Sequence, residues 1–165
     1  MASGASITAS ASVQPASALA ASSEDSLYAR IGVLLGLDKG MNSEVDLIDR
    51  LEKGLTVGAV QALRSGVGLT DEETFQLIAP RRTLSRRETL GQALSREEAD
   101  KAVRVARVAA HAQQAFRGRP AYTAEWLRTP IADLGGRTPM QALVTESGAL
   151  AVTELLAIIE YGLFG

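Results

Sequence analysis

Apolar residues recur at helical spacing along most of the chain from residue 24 onward. Leu27, Ile31, Leu34 and Leu35 form the first such run, and Gly36 and Gly40 keep that helix short. Ser43 is placed to cap a second helix through Lys53, with Val45, Leu47, Ile48 and Leu51 as its apolar positions and Gly54 as its stop. Thr56 opens a third, with Val57, Val60 and Leu63 inward, closing at residues 66–68. No segment sustains a period of two between turn signals, so the pattern predicts an all-α protein.

Thr70 with Glu73 three residues later forms a capping box, which starts a helix carrying Phe75, Leu77 and Ile78. Ala79 and Pro80 break it, because the residue before a proline is pushed off the helical region. A second short helix starts near Arg82 and runs to about Thr89, with Leu84 and Leu90 toward the core. Two short helices around a tight break make a helix-turn-helix pattern. The second carries Arg81, Arg82, Thr83, Ser85, Arg86 and Arg87, side chains suited to phosphates and base edges. The same residues would also serve as a solvated basic face, or as a surface pairing with an acidic protein.

Ser95 and Glu98 make another capping box and open a long helix to about Arg117. Ala99, Ala102, Val103, Ala106, Ala110 and Gln113 line one face of it, and Arg104, Arg107 and His111 another. Gly118 and Pro120 then separate residues 24–119, one domain, from residues 120–165, a second. The second domain holds Trp126, a turn-rich hinge over residues 129–139, and Thr138 and Pro139 at the start of a short apolar turn. Thr145 can cap a last helix from about Glu146 to Tyr161, stopped by Gly162. That helix is apolar round most of its circumference. It is therefore either the central core helix of its own domain or a helix with a partner chain as its second burial surface.

Charge sharpens this outline. The net charge is −2, yet residues 81–119 carry ten Lys/Arg against four Asp/Glu, while 1–80 carry five against ten and 120–165 two against five. A basic middle between acidic flanks points to a polyanion contact confined to one zone. The absence of cysteine excludes a disulfide framework and thiolate metal sites, and suits a reducing cytoplasm. One histidine argues against a His-ligated metal and against imidazole catalysis. No catalytic constellation is visible, so no enzyme, metal or cofactor is expected. Residues 1–23 are nearly all Ala and Ser without charge, and read as a disordered tail rather than a signal peptide.

The ordered set Trp126, Leu127, Pro130, Leu134 to Pro139, Leu143, Thr145, Gly148, Leu155, Leu156 and Glu160 to Gly162 resembles the toxin-binding domain of the Xre/MbcA/ParS antitoxin family, the partners of RES-domain toxins. Gly54 and Leu55, Arg82 to Leu84 with Arg86 and Arg87, Leu94 and Ser95 with Glu97 and Glu98, and Arg104 to Arg107 resemble the first domain of that family. Ala79 and Pro80 depart from it, standing where the family usually has a glycine-led turn. The resemblance implies an Xre-like helix-turn-helix domain followed by a small helical toxin-binding domain. It implies an antitoxin that silences an NAD-degrading RES toxin and represses its own operon, dimerising through its first domain. Toxin contacts would fall on Trp126, Arg137, Leu156, Ile159, Glu160, Tyr161, Gly162, Leu163, Phe164 and Gly165, with the last three residues entering or covering the toxin's active-site cleft. The alternative is a stand-alone helix-turn-helix regulator whose C-terminal domain only makes homo-oligomers.

Overall fold

A computed structural model describes residues 26–37 and 40–162. The expected N-terminal tail, the helix start at Glu24, and Leu163, Phe164 and Gly165 lie outside the described residues. Among the described residues, nine α-helices and one 3₁₀ turn make up the regular structure: α1 (Leu27–Leu34), α2 (Glu44–Lys53), α3 (Val57–Val67), α4 (Asp71–Leu77), α5 (Arg81–Thr89), α6 (Arg96–Ala115), α7 (Pro120–Trp126), the 3₁₀ turn (Ala132–Leu134), α8 (Pro139–Ala142) and α9 (Glu146–Glu160).

The cap chemistry sets the starts. Ser43 accepts from the Asp46 amide and Thr145 from the Gly148 amide. Full capping boxes open α4, α6 and α8, the last between Thr138 and Gln141. Thr56 takes an extended N-cap conformation, but its hydroxyl caps nothing in α3. Helix α1 starts at Leu27, capped by Ser26, whose hydroxyl accepts from the Ala29 amide.

Helices α1, α2, α3, α4, α7 and α9 pack on α6. Ala99, Ala102, Val103, Val105, Ala106, Val108, Ala109, Ala110 and Ala112 are all buried, so this helix is covered on several sides through its middle. The run of alanines is what permits that, since small side chains let neighbouring helices approach from different directions. Helices α1, α3 and α9 all lie against it. One core of buried side chains runs from Ile31 through Leu63 and Val105 to Leu127, Leu143 and Leu156. Each fully buried leucine contributes about 1.5–3 kcal/mol.

The expected boundary at residues 118–120 falls at a turn. The chain turns there, through Arg117 at φ 53° and Gly118 at φ 67°, but the core continues across the turn. Phe116 at the end of α6 is buried and holds α7 through Trp126 (ring centroids 5.4 Å apart) and Tyr122 (5.0 Å, edge-on). The two helical units are thus two sequence segments on one core.

The C-terminal unit folds back sharply. The axes of the segment ending in α8 and of α9 differ by 112°. That corner needs Gly148. A Cβ there would stand 2.0 Å from the carbonyl oxygen of Ala142 and 2.8 Å from its carbonyl carbon, and both are backbone atoms that cannot swing aside. Gly148→Ala should therefore cost about 1–3 kcal/mol, the usual cost of forcing atoms into a packed site. Urea titration checks this, with the exposed Ser147→Ala as control; an unchanged midpoint for Gly148→Ala would show that the corner can open.

Candidate nucleic-acid and partner interfaces

The α4–α5 pair is two short helices around a tight break, built without a glycine. Ile78, at φ −118°, ends α4, and Pro80, at φ −57° and ψ 147°, is the N-cap of α5. Ile78 and Ala79 are buried, so the turn is anchored from beneath. The alanine–proline pair that departs from the family pattern thus makes the break with negative φ throughout. Leu84 is buried and seats α5 on the core. Leu90, expected inward, is 56% exposed, because it follows the last helical residue and turns away.

The arginines of α5 divide. Arg81, Arg82 and Arg86 are exposed, as is Ser85, while Thr83 is half-buried. At 100° per residue Arg82 and Arg86 lie opposite Leu84, and Arg81 and Ser85 turn toward the α3 side. Arg82, Thr83, Arg86 and Gln92 border a polar depression of about 420 Å³, with Arg87 at its inner wall. Gln92 was missed in the sequence because it lies in the turn after the helix.

Arg87 is a correction. Its Nε lies 2.7 Å from Glu98 Oε2 and its Nη1 donates to the Ala93 carbonyl at 3.0 Å. Glu98 is itself the N3 residue of the α6 capping box. Arg87 therefore ties the end of α5 to the start of α6, while still lining the same depression as Arg82 and Arg86. On the other flank, Glu88 accepts from Gln61 of α3 at 2.8 Å.

Two more arginines of the basic zone are committed inward. Arg107 makes a fork to Glu44, both contacts 2.9 Å, and Tyr28 donates to the same carboxylate at 3.0 Å. The fork holds the Glu44 carboxyl below the usual range, against the burial that would raise it. Arg104 reaches Glu146 at 2.7 Å and the Val144 carbonyl at 3.3 Å, binding α6 to the start of α9. Burial pushes the half-buried His111 imidazole down, with nearby Glu160 opposing and Arg107 reinforcing the effect. Of the arginines of this zone left exposed, Arg81, Arg82 and Arg86 sit together on α5, and Arg96, Arg117 and Arg119 lie elsewhere.

Helix α9 has two faces. Ala149, Val152 and Leu156 are buried against the core. Leu150 is 60% and Tyr161 75% exposed. The helix is a core helix along one stripe, while Leu150 and Tyr161 face solvent beside the exposed Glu154. Leu156 is a correction, since at 0% exposure it offers no surface to a partner. Ile159 is half-buried against the core, and Glu160 is exposed and accepts from Gln114 at 2.7 Å. Trp126 is half-buried on Phe116, so its first role is packing. Arg137 is exposed, lying over Gly135 beside the 3₁₀ turn, and Gly162 is exposed at φ 65°.

These features define a class: a helix-turn-helix protein whose C-terminal helical unit shares the core and presents an apolar flank. Residues 46–107 match the family model described as the antitoxin Xre-like helix-turn-helix domain. Residues 111–162 match that of the antitoxin Xre/MbcA/ParS C-terminal toxin-binding domain. Proteins named Antitoxin Xre are similar along most of their length. The one from Yersinia enterocolitica is 32% identical over 119 residues, 72% of this chain and 80% of that one. Those from Photorhabdus laumondii (32%, covering 72% and 73%) and Pseudomonas putida (33%, covering 81% and 82%) are alike to a similar degree. The chain belongs to the Xre antitoxin family.

The division among the arginines has a direct consequence. Removing Arg87 leaves the largely buried Glu98 short of its charged partner, so Arg87→Ala should lower stability by about 1.5–3 kcal/mol. Arg86→Ala should stay within about 0.5 kcal/mol of wild type. Denaturant midpoints check this; equal midpoints would contradict the structural role of Arg87.

Proposed function

We propose that this antitoxin neutralises a RES-domain toxin that degrades NAD and represses its own operon. The observation that carries the reading is the pair of unlike surfaces on one core: the Arg82 and Arg86 face of α5 and the apolar flank of α9 at Leu150 and Tyr161. The first suits a phosphate backbone and base edges. The second suits a protein partner, which would cover apolar surface that otherwise meets water. The C-terminal segment, with Arg137, Ile159, Glu160, Tyr161 and Gly162 and continuing into Leu163, Phe164 and Gly165, covers the toxin's active site. The protein acts in the cytoplasm, as a homodimer within a larger toxin–antitoxin complex. Val33, Val45 and Ile48, exposed on α1 and α2, support dimerisation through the first helical unit.

Two measurements separate this from a stand-alone regulator. Binding to the protein's own upstream DNA should weaken with salt, and Arg86→Ala should reduce the log–log salt slope by about 0.9 for one lost phosphate contact. An unchanged slope and affinity for Arg82→Ala and Arg86→Ala would remove α5 from the DNA. Leu150→Asp should weaken association with the cognate RES toxin by one to two decades, as for an apolar side chain worth about 1.5–3 kcal/mol. Deleting residues 163–165 should leave association but relieve the block on NAD breakdown. A C-terminal unit that binds only its own copies, with no toxin captured, would favour the stand-alone regulator.

A further inference from the structure

Arg128 belongs to the C-terminal unit, yet its guanidinium is spent on the helix-turn-helix. Nε donates to Glu73 Oε1 at 2.9 Å and Nη2 to Glu73 Oε2 at 2.7 Å, a two-pronged fork. Nη2 also donates to the Gly68 carbonyl at 2.9 Å, and Nη1 to the Ala124 carbonyl at 3.1 Å. One side chain thus joins α7, the end of α3 and the first turn of α4.

Its partner is no ordinary surface carboxylate. Glu73 closes the α4 capping box by accepting from the Thr70 amide at 2.9 Å. Burial alone would raise its carboxyl, but Arg128 and the Thr70 amide outweigh that and hold it below the usual range. The fork therefore grips α4 at the group that defines where the helix begins. Beside it lies an open polar cleft of about 250 Å³, bordered by Thr70, Gln76, Thr138 and Gln141. The cleft lies between α4 and α8, and the fork is a link along that seam. Arg128 is itself held in place, because the neighbouring Leu127 carbonyl accepts from the Met140 amide at 2.9 Å. The other tie at this end of α4 is the exposed Arg64–Asp71 pair within the first unit.

We infer that Arg128 is a positioning residue for the α4–α5 pair: through its fork to Glu73, the C-terminal unit sets the pose of the helix that reads DNA. Helix α5 follows α4 through the buried Ile78 and Ala79, so a shift at the start of α4 is carried into α5. The two halves of the chain are then mechanically joined as well as co-packed, and a partner that displaces residues 127–140 also disturbs the reader. The inference rests on the proposed DNA-binding role of α5.

The test uses the full chain with Glu73→Gln and Arg128→Gln. Glutamine at the N3 position keeps the capping box and removes only the charge, so α4 itself should still form. Amide exchange in the free protein should quicken in α4 and α5 in both variants. Affinity for the protein's own upstream DNA should fall by about 3–10-fold, the effect of losing one charge-assisted contact that supports but does not build the site. The salt slope should stay at the wild-type value, because no phosphate contact is lost, and the double variant should be no weaker than either single one. Three results would overturn the inference: wild-type affinity in both variants, unchanged exchange in α4 and α5, or a slope reduced by about 0.9 in Arg128→Gln, which would make Arg128 a phosphate ligand. A wild type that binds no DNA would sink the role of α5 instead, and the exchange data alone would then decide whether the fork fixes α4.

Discussion

The structure depends on the burial of one alanine-rich helix on several sides at once. A helix of leucines would hold its neighbours further off and would not take close packing on several faces. Helix α6 spends its middle on Ala102, Ala106, Ala109, Ala110 and Ala112, and so takes α1, α3 and α9 together. The two family models meet inside this helix, one ending at residue 107 and the other starting at 111. Neither segment has a core of its own that stops at that point.

Charge then joins what α6 brings near. Arg104 fastens the start of α9, Arg107 fastens α2 with Tyr28, and Arg87 fastens α5 to the first turn of α6. These pairs engage three of the ten cations of the basic zone. What remains on α5 is a compact outward set, and that concentration makes the helix a better candidate for a polyanion than the net charge suggests. The apolar flank of α9 arises by the same logic. Its inner stripe is claimed by α6, and no element of the described chain covers the Leu150 side.

Much of this was legible in the sequence because its causes are local. The capping boxes at Thr70 and Ser95, the break at Pro80 and the stops at Gly54 and Gly162 each depend on residues within one turn. The family resemblance was legible for the same reason, resting on short ordered strings. The failures share a different cause. Arg87 and Leu156 were assigned to surfaces, and both are drawn inward by partners that only the fold brings near. Arg104 and Glu146 are 42 residues apart, and Arg128 and Glu73 are 55 apart. Periodicity shows that a helix has a polar side but not which polar group faces another helix. Gly118 and Pro120 mark a turn that the chain does make, and sequence could not show that the core runs on across it.

The central claim is that the DNA-reading and partner-binding halves form one cooperative unit. Trp126 is the chain's single tryptophan and sits in the C-terminal half, whereas most of the helix content lies in the other. Equilibrium unfolding in urea, followed at once by tryptophan fluorescence and far-UV ellipticity, tests the claim most directly. The account predicts superimposed transitions with one midpoint. A tryptophan transition completed while most of the ellipticity remains would show two independent domains and contradict it.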